Sequence, residues 1–498
     1  MKPSEYLQYD ATGLADLVRR GEVTRSEVTE AAIARAETLN PDINAICIPQ
    51  YEEARQQAPS DGPFGGVPML LKDLGQEQAG QPCTMGSRGL RRRVMAEDSD
   101  YVIRAREAGL VFLGRTATPE FGLKAITESE LWGPSRNPWG RDHTPGGSSG
   151  GSGAAVAAGI VPVAGANDGG GSIRIPAAYN GLVGLKPSRG RVSWGPHTGE
   201  SWLGAADNHV VTRTVRDCAG MLDVLAGPAV GDPFRIEAPP RPWSEQASEP
   251  PGRLRIGLFT RSPYGDDVHP DCVAAVEESA RLLESLGHEV EEASPEFDGQ
   301  ALARCYLGIY FGEVPAFIDM ALAEGASKDD FELDSRVLAM LGRSFPLPAY
   351  VRMRQQWNDF ARALGDYFSR YDLYLCPTTA QPPARIGELD LPPAMKVVSK
   401  LLVKAHAGKL LHRTGMIDQL AMESLARTPF TQLANLTGTP ALSLPLGWDQ
   451  KGMPVGVQFG APHGAEGRLL QLAAQLEEAA PWYGRYEQLW QTAPEREM

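Results

Sequence analysis

Two glycine-serine loops hold the residues of this chain best suited to chemistry. Gly146-Gly147-Ser148-Ser149-Gly150-Gly151-Ser152-Gly153 is followed, 24 residues after Ser148, by Ser172 at the end of Asp168-Gly169-Gly170-Gly171-Ser172. Such loops cradle phosphates when they end in Gly-Lys-Ser/Thr or read GxGxxG after a strand, and neither pattern is present. Serine nucleophilic catalysis is the next chemistry to weigh. Gly147-Ser148-Ser149-Gly150-Gly151 formally matches GxSxG, which would make Ser149 the nucleophile of a serine esterase with a downstream Asp/His pair. That turn requires a strand just upstream, whereas 137–145 is broken by Pro138 and Pro145. Ser172 is the other choice. Successive glycines ahead of it let backbone N–H groups converge on one point, as an oxyanion hole requires. A serine hydroxyl is too weakly acidic to attack an amide unaided, and a lysine can be its base once burial lowers the lysine pKa. Lys72 closes the apolar run Val67-Pro68-Met69-Leu70-Leu71, which suits a strand leading inward. Taken singly, each loop is an ordinary flexible connector and the lysine an ordinary surface charge.

Together, Lys72-Asp73, Gly146 to Ser152, Gly171-Ser172-Ile173-Arg174-Ile175-Pro176 and Gly181-Leu182-Val183-Gly184-Leu185-Lys186-Pro187 resemble the amidase signature family in order, spacing and flanking residues. The resemblance extends from the N-terminal helices through Thr437-Gly438-Thr439-Pro440-Ala441 to the last helix. It implies an α/β fold, a mixed central β-sheet flanked by α-helices, and hydrolysis of a carboxamide C–N bond, or of a carbamate or ester, through an acyl-enzyme. It makes Ser172 the nucleophile, Ser148 the middle serine behind a cis Gly147–Ser148 peptide, and Lys72 the base. It draws oxyanion donors from the backbone of Gly169, Gly170, Gly171 and Ser172, and gives Ser149, Asp168 and Arg174 supporting hydrogen bonds. Gly169 departs from the family pattern, in which a larger residue is common there; the extra glycine either loosens the loop or makes room for substrate. The layout looks most like family members that open amides of nylon by-products. A small or medium neutral amide, synthetic or cyclic, or a carbamate is therefore expected. The amidotransferase-type subunit of the family, which acts only in a complex, is the alternative.

The elements that must position these residues are legible in part. Thr24-x-x-Glu27 is a capping box opening a helix with Val28, Ala32, Ala36 and Leu39 on one face. From about 60 to 228, short apolar runs such as Val111-Phe112-Leu113 alternate with Gly/Ser/Pro loops, as in an α/β catalytic core. A proline-crowded connection, 228–252, leads to a strand at 254–258, a helix at 270–286 and a strand at 288–290. Tyr371 to Cys376, Ala441 to Pro445 and Val455 to Phe459 read as strands, and Leu469, Leu472 and Leu476 as the buried stripe of a closing helix. The expected organisation is a single large domain, 1–498, with a variable cap over about 253–430 and a C-terminal core segment over 430–490. Tyr306, Tyr310 and Phe311, on a cap helix with Phe317, are expected to line the substrate pocket, and alanine at Tyr306 or Tyr310 to change substrate ranking with little loss of stability. The segment Gln381 to Pro429, with Lys396, Lys400, Lys404 and Lys409 among leucines, is either a lid or a plain surface excursion.

Composition excludes other classes. With 48 Lys+Arg against 62 Asp+Glu the chain carries −14, so counterion-release binding of nucleic acid is not expected. The charge-free stretch Thr144 to Asn167 holds seven glycines, three serines and two prolines, a loop, short helix and strand rather than a membrane span. Six dispersed cysteines without CxxC spacing suit reduced thiols, and eight scattered histidines include no ligand pair. No metal and no cofactor are expected. With no apolar leader at the N-terminus, the expectation is a cytoplasmic monomer or homodimer without membrane or nucleic-acid partners.

Overall fold

Short apolar runs bounded by glycine and proline become strands throughout the chain. The computed structural model describes residues 1–412 and 422–491. Its strands are β1 (Ile46–Pro49), β2 (Pro68–Lys72), β3 (Val111–Thr116), β4 (Glu128–Ser129), β5 (Gly133–Pro134), β6 (Val163–Asp168), β7 (Val183–Lys186), β8 (Asp207–Thr212), β9 (Arg255–Leu258), β10 (Glu289–Glu292), β11 (Leu373–Pro377), β12 (Ala441–Trp448) and β13 (Pro454–Gly460). Strands β4 and β5 form a small ribbon. The other eleven build one sheet in the order β1-β3-β2-β6-β8-β7-β12-β13-β11-β9-β10. Pairing is parallel for β3-β2-β6 and for β11-β9-β10 and antiparallel between, so the sheet is mixed as expected. Buried on both sides, β2 and β6 carry apolar residues in near-continuous runs, the pattern of central parallel strands.

Helices cover the sheet through the faces their sequences predict. The helix Arg25–Ile43 opens with the Thr24/Glu27 capping box and buries Val28, Ala32, Ala36 and Leu39. The closing helix Glu466–Ala479 buries Leu469, Leu472 and Leu476. The expected cap boundary needs correction. Residues 253–295 and 371–377 belong to the core: β9, β10 and β11 extend the sheet, and the helix Pro270–Ser285 packs on it through Cys272, Ala275, Val276 and Leu283. The layer over the site comes instead from the helices Gly299–Ala323, Leu333–Ser344 and Leu347–Phe368, which share a second apolar core with Phe121, Trp202, Phe430 and Leu433. Among the described residues, Gly299–Ala323 is the one helix long and apolar enough to cross a membrane, and its Leu302, Ile309, Val314 and Ile318 are buried in that core.

Within the segment considered as a lid, Pro393–Lys404 is a surface helix with no buried residue, and 413–421 lie outside the described residues.

Candidate active site

Parallel pairing of β2 with β6, Leu70 beside Ala164, brings Lys72 and Asn167-Asp168 out at the same end of the sheet. The carboxyl ends of strands in open α/β sheets are where ligands bind. Lys72 has no exposed surface, and its Nζ donates to Ser148 Oγ at 2.8 Å and to Asn167 Oδ1 at 2.6 Å. Burial holds the Lys72 amine well below the ordinary lysine pKa, against the opposing charge of Asp168. Among the described residues no carboxylate forms an ion pair with Nζ, and burial outweighs the pull of Asp168. A neutral amine there can take the Ser148 proton along the same 2.8 Å line.

Ser148 and Ser149 sit just ahead of the helix Gly150–Ala157, and the Gly147–Ser148 peptide is cis. The two serines face different partners. Ser149, fully buried, donates to the Asn167 carbonyl at 3.3 Å and accepts the Asn167 N–H at 3.4 Å. It therefore ties the first serine loop to the end of β6, and no histidine bonds to it among the described residues, which removes the geometric basis of an esterase centred on it. Ser172 is partly exposed. Its hydroxyl makes no hydrogen bond among the described residues, so the Ser148–Ser172 contact a relay needs is open in this structure; catalytic hydrogen bonds of unliganded sites often tighten only with substrate.

The glycine loop is held by one buried network. Arg174 grips Asp168 with Nε to Oδ2 and Nη2 to Oδ1, both at 2.9 Å, and also donates to the Thr431 carbonyl, Gln458 Oε1 and Asn435 Oδ1. Burial alone would raise the Asp168 pKa, but Arg174 and then Asn435 outweigh it and hold the carboxyl well below the usual carboxylate range. Supporting roles expected for Asp168 and Arg174 thus have a geometric counterpart. The expectation for Gly171 does not. Its N–H is committed to Asp168 Oδ1 at 2.6 Å, while the other end of the same peptide, the Gly170 carbonyl, accepts from Thr431 Oγ1 at 2.6 Å and Gln432 Nε2 at 3.2 Å. A peptide clamped at both ends cannot turn toward substrate. The N–H groups of Gly169, Gly170 and Ser172 are left unpaired among the described residues.

Several of these contacts have no local signal. Asn167 could have been suspected as a polar residue beside Asp168 at the end of an apolar strand. Thr431, Gln432, Asn435 and Gln458 lie more than 250 residues away from the loop they hold. Glu120 is another. A Cβ on Gly122 would come within 3.2 Å of Ser148 Oγ, and two residues earlier the buried Glu120 carboxylate accepts from Ser87 Oγ at 2.7 Å, the Glu332 N–H at 2.9 Å and Ser335 Oγ. It thereby docks the helix Leu333–Ser344 on the loop beside Ser148. Burial pushes the Glu120 pKa up to about 7, against the Ser335 and Ser87 hydrogen bonds. Unfolded chains release this proton near pH 4.5 and the folded chain near 7, so stability contributed below pH 4.5 is lost as pH rises between the two. The loss is roughly 3 kcal/mol. Glu120→Gln is expected to flatten this slope, measured as urea midpoints from pH 4.5 to 8; an unchanged slope would assign it to other groups.

Of the expected pocket residues, the structure brings Tyr306 to the loop and Tyr310 beside Tyr306. Tyr306 covers Gly170 with its hydroxyl, which is 3.0 Å from the Tyr310 hydroxyl, and Tyr310 donates to the Leu123 carbonyl at 3.4 Å. Both are buried members of the second core, so alanine there removes core volume, and the expectation of little stability loss is corrected. Phe311 is turned elsewhere. One residue on from Tyr310, it faces Phe345 and His412 at centroid distances of 5.1 and 5.8 Å and packs between helices.

Comparison with known proteins agrees with this architecture. The family described as Amidase matches residues 27–470. A 6-aminohexanoate-cyclic-dimer hydrolase of Pseudomonas sp. (strain NK87) is 41% identical, over 97% of each chain. The solved structure of a 6-aminohexanoate cyclic dimer hydrolase complexed with substrate superposes with a TM-score of 0.88 at 40% identity, covering 97% of this chain and 99% of that one. A bacterial aryl acylamidase of the amidase signature enzymes superposes with a TM-score of 0.83 at 26% identity, over 97% and 98% of the two chains. The chain accordingly belongs to the amidase signature family and is an amidohydrolase acting on C–N bonds other than peptide bonds.

Proposed function

We propose that this amidohydrolase cleaves small or medium neutral amides, cyclic amides first among them, through an acyl-enzyme on Ser172 relayed by Ser148 to Lys72. The observation that carries the reading is the buried Lys72 amine bonded at 2.8 Å to Ser148 Oγ. As Ser172 Oγ attacks the carbonyl carbon, its proton passes to Ser148 Oγ and the Ser148 proton to the neutral Lys72 Nζ. The carbonyl oxygen, now an alkoxide, is received by the unpaired N–H groups of Gly169, Gly170 and Ser172. Collapse breaks the C–N bond, and Ser148 hands a proton to the leaving nitrogen while Lys72 restores it. Water then adds to the acyl carbon, gives its proton to the same relay, and releases the acid and free Ser172.

Substrate class follows from what surrounds the loop. Trp202, Tyr306 and Tyr310 present rings and hydroxyls with no charge, which suits a neutral amide; similarity to hydrolases of a cyclic dimer favours a cyclic one. The chain is proposed to act alone, as a monomer or homodimer in the cytoplasm, on small molecules including carbamates. The test is turnover by the purified chain of a panel containing cyclic and linear amides, carbamates and esters. Cyclic and linear amides are expected to be cleaved, with esters weaker. Activity that appears only when a partner protein is added would replace this reading with that of an amidotransferase-type subunit.

A further inference from the structure

Trp202 lies outside every segment that carries the proposed chemistry, yet its indole occupies the place of a side chain at Gly169. A Cβ on Gly169 would lie 2.7 Å from Cε3 of the ring, closer than real Cβ atoms come, and 3.0 Å from Cζ3, tighter than most. The space that a side chain at Gly169 would fill is thus taken by a tryptophan. The ring is nearly buried and sits edge-on to Tyr310 at 5.1 Å, tilted against Tyr306 at 6.5 Å.

The backbone that delivers the ring is itself unusual. Trp202 and Leu203 have φ of 53° and 56°, the left-handed region that bulky side chains avoid and that persists where surroundings over-determine it. The surroundings can be named. Trp194 Nε1 donates to the Ala206 carbonyl at 2.9 Å, the Arg189 guanidinium to Gly204, and Asn435 Nδ2 to the Ala205 carbonyl at 3.0 Å. The same Asn435 Nδ2 donates to the Asp168 carbonyl at 2.9 Å. In a trans peptide the N–H points opposite to the C=O, so anchoring the Asp168 carbonyl turns the Gly169 N–H the other way. One amide group therefore holds both the turn that carries Trp202 and the peptide that carries the Gly169 N–H.

We propose that Trp202 is a positioning residue: its ring clamps the Gly169 peptide and holds that N–H as an oxyanion donor, and Gly169 is small so that the ring can reach it. This rests on Ser172 being the nucleophile. The test compares kcat and KM of Gly169→Ala, Trp202→Leu, Trp202→Phe and Gly169→Ala/Trp202→Leu on an amide that the wild type hydrolyses, with melting temperatures and fluorophosphonate labelling of each. Losing one oxyanion donor lowers kcat by roughly 100-fold or more. Gly169→Ala, which pushes the ring and peptide apart, is expected to approach that loss with KM nearly unchanged. Adding Trp202→Leu should return about tenfold of it, because the smaller side chain makes room for the methyl group. Trp202→Phe should keep several-fold more kcat than Trp202→Leu. Losses that simply multiply in the double variant, or a Gly169→Ala enzyme as active as wild type, would overturn the proposal. If Gly169→Ala fails to fold, the Phe and Leu variants decide: equal kcat in both overturns it. Wild-type enzyme that fluorophosphonate labels at a residue other than Ser172 ends both readings, whereas Ser172 labelling with multiplicative losses ends only this one.

Discussion

Ser172→Ala is expected to lower kcat by about 10⁴-fold or more, the scale seen when a serine nucleophile is removed from an intact site. The same change should leave the melting temperature almost unmoved. Ser172 is partly exposed and its hydroxyl bonds to nothing among the described residues, and substitutions of that kind cost within about 0.5 kcal/mol. Ser149→Ala reverses the pattern. It removes the two hydrogen bonds to the Asn167 backbone, so stability should fall by about 1–3 kcal/mol while turnover remains measurable. Intact-mass analysis after fluorophosphonate treatment checks the assignment directly: the adduct should be on Ser172, and one on Ser149 would move the nucleophile to the first loop.

Lys72 should impose the acid limb of kcat/KM. A protonated Nζ cannot accept the Ser148 proton, so the rate rises as pH passes upward through the folded-state pKa, which burial places well below that of a free lysine. Lys72→Met is expected to lose both the activity, by a factor of about 10³ or more, and the limb. Lys72→Arg should be equally inactive, since a guanidinium stays charged at every working pH. Glu120, whose pKa burial pushes up to about 7 on the loop beside Ser148, is a second group whose ionisation such a profile must be separated from. Glu120→Gln should therefore keep the limb. A limb that persists in residually active Lys72→Met enzyme, or vanishes in Glu120→Gln, would assign the ionisation elsewhere.

What could be read from the residues alone was what depends on neighbours in the chain. The Thr24/Glu27 capping box, the apolar spacing of the helices and the alternation of short strands with glycine and proline are local patterns, and each reappears in place. Local patterns also misled where packing direction mattered. Tyr306, Tyr310 and Phe311 looked like one aromatic cluster, but on a helix adjacent residues point about 100° apart, and Phe311 faces a different neighbour. Strands β9, β10 and β11 looked like part of a cap because nothing in 253–377 signals which sheet edge they join. The same limit governs the site. The Gly171 N–H goes to Asp168 in a peptide whose Gly170 carbonyl is held by Thr431 and Gln432, and the Asp168 carbonyl is held by Asn435, all more than 250 residues beyond the glycines. Hydrogen bonds between groups so far apart leave no spacing in the sequence, because the fold sets the distance between them and chain separation does not.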